Sequence, residues 1–460
     1  MTDLCDLGAI ALRRMIGARQ VSPRELLAAC KARIEALNPT FNAITATCWE
    51  RAQREAEAAE RAVGEGAPLG PLHGLPIGIK DTQVTGGLRT TFGSPIFADN
   101  VPAADERMVA AVRAAGAIVI GKTNVPEFGA GANTTNPVYG ATGNPLDPKR
   151  ICGGSSGGSA VALATRMLPL ATGSDTGGSL RTPAALCGIV GLRPSPGLVP
   201  MKTKSVGWSP ISVHGPLGRD VAEAALMLSV IAASDADDPL SYPVDAAALA
   251  TPPRVDPSRL RVAVSEDLGF APVDQMVRRC FRRAVERITP HVAVVEPRDP
   301  DLHDADDVFE TLRAIQFLAG HEKHYREQRD LLGPNLVENV EQAMGYTFAD
   351  VVRAHTAHTA LYRRFIAFMA DWDVLITPSV TVPPFPLEQL YPPAIDGVPA
   401  RTYFHWLALA YGITLTTHPA ISIPCGLDEQ GTPFGIQIVG KRGGDHALLG
   451  VAAALEALLG

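Results

Sequence analysis

The chain has 460 residues, 46% of them hydrophobic, enough to bury a substantial core in up to about three domains or in one large α/β unit. Its 41 basic and 48 acidic residues give a net charge of −7, with no block of five like charges and no basic stripe, which argues against nucleic acid or an anionic membrane as the main partner. The N-terminal segment MTDLCDLGAIALRRM has no basic stretch leading into an apolar one, and no apolar run reaches the ~18 residues of a membrane span. The seven cysteines are scattered, odd in number and without a CxxC pair, so reduced thiols in a cytoplasmic protein are expected, and no zinc.

In chain order, Ser22-Pro23-Arg24-Glu25 reads as a helix start, with Ser22 as cap and Glu25 closing a capping box. Leu26, Leu27, Cys30, Ile34 and Leu37 follow at helical spacing, and residues 50–63 predict a second helix. Leu75-Pro76-Ile77-Gly78-Ile79-Lys80-Asp81 reads as a short strand running into a polar loop. Residues 105–115 predict a helix ending at Gly116, and Ala117–Ile120 a buried strand. This alternation continues through residue 192 and predicts an α/β sheet covered by helices. Residues 257–298 read as a helix flanked by two strands, and residues 305–370 as mostly helical with a cap at Thr347. Residues 377–402 are Pro-rich and irregular, after which strands at Ile421–Pro424 and Gly435–Val439 and a final helix complete the chain. No internal repeat or long linker is visible, so a single domain over residues 1–460 is expected, with residues 305–402 shaping a substrate pocket within it.

The segment LPLATGSDTGGSLRTPAALC, residues 168–187, carries the first chemical signal. An apolar strand, Leu168–Ala171, ends in a Gly-rich turn from Gly173 to Ser179, and a helical run follows from Leu180. Paired glycines let the backbone turn sharply and present consecutive N–H groups, which can hold a developing oxyanion. The logic is that of a nucleophile elbow, although the GxSxG spacing is absent; an anion cradle or a plain turn fits the same residues. A serine nucleophile needs a base, and neither His73 nor His214 offers itself from the motifs. A second cluster, Gly153 to Ser159, lies about 24 residues before Ser179, room for one helix and one strand to bring the two together. Gly/Ser runs often mark flexible linkers, but this one is short and flanked by apolar structure.

Taken together, GGSSGGSAVALATRMLPLATGSDTGGSLRTPAALCGIVGLRPS, residues 153–195, resembles the defining motif of the amidase signature family. Gly74-Leu75-Pro76 through Lys80-Asp81 resembles that family's lysine motif. Gly121 to Asn124 with Glu127-Phe128, Gly215-Pro216-Leu217, Asp373–Pro378, Pro419–Gly426 and Gly435–Gly440 extend the likeness over nearly the whole chain. The resemblance implies an α/β fold with a large mixed central β-sheet sandwiched between helices. It also implies a hydrolase cleaving carbon–nitrogen acyl bonds of carboxamides through an acyl-enzyme, without a cofactor. Ser179 matches the nucleophile, Ser155 the bridging serine, whose peptide bond from Gly154 would be cis, and Lys80 the base. The backbone N–H groups of Thr176, Gly177, Gly178 and Ser179 match the oxyanion hole, and Asp175 and Arg181 the polar pair bracing the loop. For Lys80 to accept a proton it must be neutral, so it is expected to be buried with Asp81 turned away from it.

The expected partner is a small-molecule amide, ester or carbamate, with a homodimer left open. The alternative is the glutaminase component of a tRNA-dependent amidotransferase. Two stretches, Lys204–Ser212 and Thr417-His418-Pro419-Ala420, depart from that branch and favour a stand-alone enzyme. A non-catalytic binding protein is disfavoured because all three triad positions are intact. Other signals in the chain carry less. GAIVIGKT, residues 116–123, matches the P-loop spelling, but its middle reads as a strand where a phosphate cradle needs free backbone. His321 and His324, like His355 and His358, have i,i+3 spacing and lack the zincin pattern. Cys152 has no paired histidine and reads as a buried structural thiol. Tyr403, Phe404, His405, Trp406 and Tyr411 fit core packing or the wall of an apolar pocket.

Overall fold

Two helices open the chain, α1 (Ala9–Gly17) and α2 (Pro23–Phe41). Ser22 Oγ accepts from Arg24 N at 3.0 Å while Glu25 Oε2 accepts from Ser22 N at 2.9 Å, the reciprocal cap expected there. Then come β1 (Ile44–Thr47) and α3 (Trp49–Glu65), which buries Ala52, Ala56, Ala59 and Val63 along one stripe. Next are β2 (Pro76–Lys80), α4 (Arg107–Ala114) and β3 (Ile118–Thr123), followed by a small ribbon of β4 (Thr135–Asn136) and β5 (Gly140–Ala141). The motif region supplies α5 (Gly157–Ala164), β6 (Leu170–Asp175), α6 (Arg181–Cys187) and β7 (Val190–Arg193). Beyond it lie β8 (Val213–Gly218), α7 (Val221–Ile231), β9 (Arg261–Val264), α8 (Gln275–Ile288) and β10 (Val294–Pro297).

The helical stretch resolves into α9 (Ala305–Gln328), α10 (Pro334–Gly345) and α11 (Phe348–Met369), the last opened by a capping box at Thr347. The Pro-rich segment after β11 (Val374–Pro378) is irregular apart from a ribbon of β12 (Ala394–Ile395) and β13 (Val398–Pro399). Helix α12 (Ala408–Leu415), strands β14 (Ala420–Leu427) and β15 (Pro433–Val439), and helix α13 (Asp445–Leu459) complete the fold. This computed structural model describes residues 3–460.

Eleven strands form one mixed sheet in the order β1-β3-β2-β6-β8-β7-β14-β15-β11-β9-β10. Strand β3 shows why helices cover both faces. Ile118 and Ile120 enter one apolar cluster with α3 and α5, while Val119 between them enters the other, with α4 and α7. Successive side chains point to opposite faces, so an all-apolar strand has to be covered twice. Strands β14 and β15 run a few residues further than the sequence reading placed them, and so do β6 and β3. Strand β6 continues through Gly173-Ser174-Asp175 because these residues pair with Gly215, His214 and Val213 of β8. Strand β3 continues through Gly121-Lys122-Thr123, which pair with Gly78, Ile79 and Lys80 of β2.

Candidate active site

Strands β2 and β6 are parallel neighbours, so both end at the same edge of the sheet, β2 at Lys80 and β6 at Ser174-Asp175. The turns that start α5 and α6 open there too, with Ser155 and Ser156 before the first and Ser179 before the second. Lys80 is fully buried, and its Nζ lies 2.7 Å from Ser155 Oγ and 2.9 Å from both Ser156 Oγ and Ser174 Oγ. Burial pulls its pKa down to about 7, opposed by the negative charge of Asp175. Asp81 is turned away and accepts from Thr91 N and Thr91 Oγ1. A neutral amine has two N–H donors and one lone pair. Ser156 Oγ donates to the Ser174 carbonyl at 3.3 Å, so it acts as an acceptor for Lys80 and leaves Ser155 and Ser174 to supply the proton that the lone pair takes.

The peptide bond between Gly154 and Ser155 is cis. Ser156 N donates to the Ser179 carbonyl at 3.3 Å and ties the two serine turns together. The Ser179 side chain itself makes no hydrogen bond among the described residues and retains 8% exposure, open to an incoming group. Asp175 shapes its turn by accepting from Gly178 N at 2.9 Å, Leu180 N at 3.2 Å and Arg181 Nε at 3.0 Å. Arg193 Nη1 reaches the same carboxylate at 3.2 Å. Burial alone would raise the Asp175 pKa, but Arg181 and Arg193 hold it well below the ordinary carboxylate range. One expectation needs correcting. The Gly178 N–H is committed to Asp175 and is not free for an oxyanion, whereas those of Thr176, Gly177 and Ser179 donate to no acceptor among the described residues. Gly178 contributes through its backbone shape instead. Its φ of +117° sets the turn, and a Cβ there would lie 2.5 Å from Ala410 Cβ.

Several partners were not singled out from the sequence. Ser156 and Ser174 share Lys80 with Ser155, and Arg193 joins Arg181 on Asp175. All three stand inside the quoted motif, and an excess of hydroxyls and arginines there was the available signal. His214 is not in a loop but in β8 opposite Ser174, buried, its pKa lowered to about 3 by burial and by the charges of Lys80 and Lys204. His73 bonds the Ala59 carbonyl. The P-loop spelling forms strand, with Lys122 Nζ bonded to the Gln83 carbonyl and to Thr85 Oγ1. Burial pushes the Cys152 thiol up to about 12. His321 packs on Phe128 with ring centroids 4.4 Å apart, and His358 bonds the Leu415 carbonyl at 2.8 Å. Tyr411 stacks on Phe309 at 4.5 Å, and Phe309 closes over Gly177, where an added Cβ would lie 2.9 Å from its ring. The aromatic set is buried, as core packing expects, and its Tyr411 packs on the Phe309 ring that closes over the turn.

The chain belongs to the Amidase family, whose profile matches residues 25–449, and as such it is a hydrolase of carbon–nitrogen bonds. It is 34% identical to an acylamidase of Rhodococcus erythropolis over 455 residues, 98% of this chain and 95% of that protein. It is 32% identical to a glutamyl-tRNA(Gln) amidotransferase subunit of Chloroflexus aurantiacus, over 100% of this chain and 98% of that one. Among solved structures it is similar to a bacterial aryl acylamidase of the amidase signature enzymes, with a TM-score of 0.91 and 27% identity over 98% of this chain and 96% of that one. Among the described residues no helix is long and apolar enough to cross a membrane.

Proposed function

We propose that the chain is a stand-alone, cytoplasmic amidase that hydrolyses carboxamides, aryl amides among them, with Ser179 as nucleophile, Ser155 as proton bridge and Lys80 as base. The observation that carries this reading is the 2.7 Å contact between Ser155 and a buried lysine whose pKa is about 7. Ser179 Oγ attacks the carbonyl carbon; its proton passes to Ser155 as the Ser155 proton passes to neutral Lys80. The carbonyl oxygen takes up the negative charge facing the unpaired N–H groups of Thr176, Gly177 and Ser179. The carbon–nitrogen bond then breaks: Lys80 returns its proton to Ser155, and Ser155 gives its own to the departing nitrogen. Water repeats the attack on the acyl-serine by the same relay, releasing the acid and restoring Ser179. Asp175, Arg181, Arg193 and Gly154 hold the two turns and touch no reacting atom in this scheme. Esters and carbamates change only the leaving group and would be side substrates.

Resemblance to the Rhodococcus acylamidase and to the aryl acylamidase structure supports this reading. The 32% identity to the amidotransferase subunit over the whole chain favours a second one, glutamine deamidation within a larger assembly. Product release from matched anilide, ester and aryl carbamate substrates, with Ser179→Ala alongside, separates the two. Turnover of the anilide by the isolated protein, lost in the variant, is expected. Ammonia release from glutamine, dependent on an added partner, with no anilide turnover, would establish the second reading.

A further inference from the structure

Three arginines are more than nine-tenths buried: Arg181, Arg193 and Arg313. The first two share the Asp175 carboxylate. Arg313, on α9, has no carboxylate within 4.0 Å among the described residues. Among the described residues its side chain makes one hydrogen bond, from Nη2 to Tyr403 Oη at 2.6 Å, and its buried Nε has no partner. Glu338 on α10 feels its charge but does not reach it. The rings of Phe317, Phe404 and Tyr403 lie 4.7, 5.0 and 5.5 Å from the guanidinium carbon and brace it without meeting its hydrogen-bonding needs. Asn339 adds to the polar imbalance: its Nδ2 donates to Tyr403 Oη, and its Oδ1 is buried without a partner.

The position of Arg313 gives this imbalance a direction. Residues 309, 313 and 316 are an i, i+4, i+7 set and share one face of α9. Phe309 closes over Gly177. Gln316 Oε1 accepts from Ser212 Oγ, which is 2.8 Å from Thr176 Oγ1. Phe309 thus touches the turn that carries Ser179, Gln316 connects to it through Ser212, and Arg313 lies between the two along the helix. A buried fork-shaped cation with unmet donors, on the helix face whose Phe309 closes over the Ser179 turn, is suited to a carboxylate, which accepts two parallel N–H bonds.

We propose that Arg313 forms a carboxylate-binding subsite, so that the preferred amide substrates carry a carboxylate on either the acyl or the amine portion. This rests on the assignment of Ser179 as nucleophile. Two isosteric pairs test it: glutaric acid mono-4-nitroanilide against its terminal carboxamide, and 4-acetamidobenzoate against 4-acetamidobenzamide. In one pair the carboxylate compound is expected to have at least about tenfold higher kcat/KM. That ratio should collapse in Arg313→Met and survive in part in Arg313→Lys, and the pair that responds tells which portion bears the charge. Calorimetric titration of the same compounds into Ser179→Ala reads binding without turnover and should show the same ranking. Neutral members favoured in both pairs by turnover and by titration, or a carboxylate preference undiminished in Arg313→Met, would overturn the subsite. Turnover retained in Ser179→Ala would instead overturn the nucleophile assignment and leave the binding result to be judged by itself.

Discussion

A lysine acts as a base only in the molecules where it is neutral, and Lys80 meets that condition because water is excluded from it and Asp81 bonds Thr91 instead. With its pKa near 7, kcat/KM for a neutral anilide should climb about tenfold per unit on the acid side and level off above neutrality. Initial rates across about pH 5 to 9 check this; a profile flat through pH 7 would contradict it. Lys80→Ala should lower kcat/KM by roughly 10²–10⁴-fold in the same assay. Asp175 works on a different quantity. It is the shared counter-charge of two fully buried arginines, so Asp175→Asn should cost about 3–5 kcal/mol in urea unfolding. Since its folded pKa is depressed below the ordinary 3.8, its stabilisation is complete above that value. It is lost as pH falls toward the folded value, so the wild type and the variant should converge in acid.

Among the elements, the β6–α6 turn leaves its two glycines no room for a side chain. Gly178→Ala adds a Cβ at a φ of +117° and 2.5 Å from Ala410, so the turn must shift. Its neighbours Gly177 and Ser179 carry free N–H groups, so kcat should fall at least about tenfold, a loss that anilide turnover at saturating substrate reads directly. This turn also marks where legibility in the sequence stops. Local signals placed α2 from its Ser22 cap, α11 from Thr347 and α3 from its Ala/Glu/Arg-rich composition, because caps and composition are written within a few residues. From local composition β6 ends at Ala171, since Gly173-Ser174-Asp175 has the residues of a turn; β8, about 40 residues on, pairs with it and holds it extended. Long-range partners of this kind also account for Ser174 on Lys80 and Arg193 on Asp175, whereas the Gly178 N–H, which the family resemblance assigned to the oxyanion hole, is taken by Asp175 only three residues before it.

At the scale of the molecule, one eleven-stranded sheet makes the site possible. Parallel pairing of β2 with β6 sets the lysine and both serine turns at one edge, and α9 meets the Ser179 turn through Phe309 and, by way of Ser212, through Gln316. Motif order along the chain made the triad candidates legible; the covering face of α9 was not, because its composition carries no motif and its role comes from what it packs on. The measurement that tests the central claim most directly is peptide mapping by mass spectrometry after quenching an anilide reaction in steady state. The account predicts an acyl group on the peptide that contains Ser179, absent from Ser179→Ala along with turnover. An acyl group on another side chain such as Cys152, or undiminished turnover in Ser179→Ala, would contradict it.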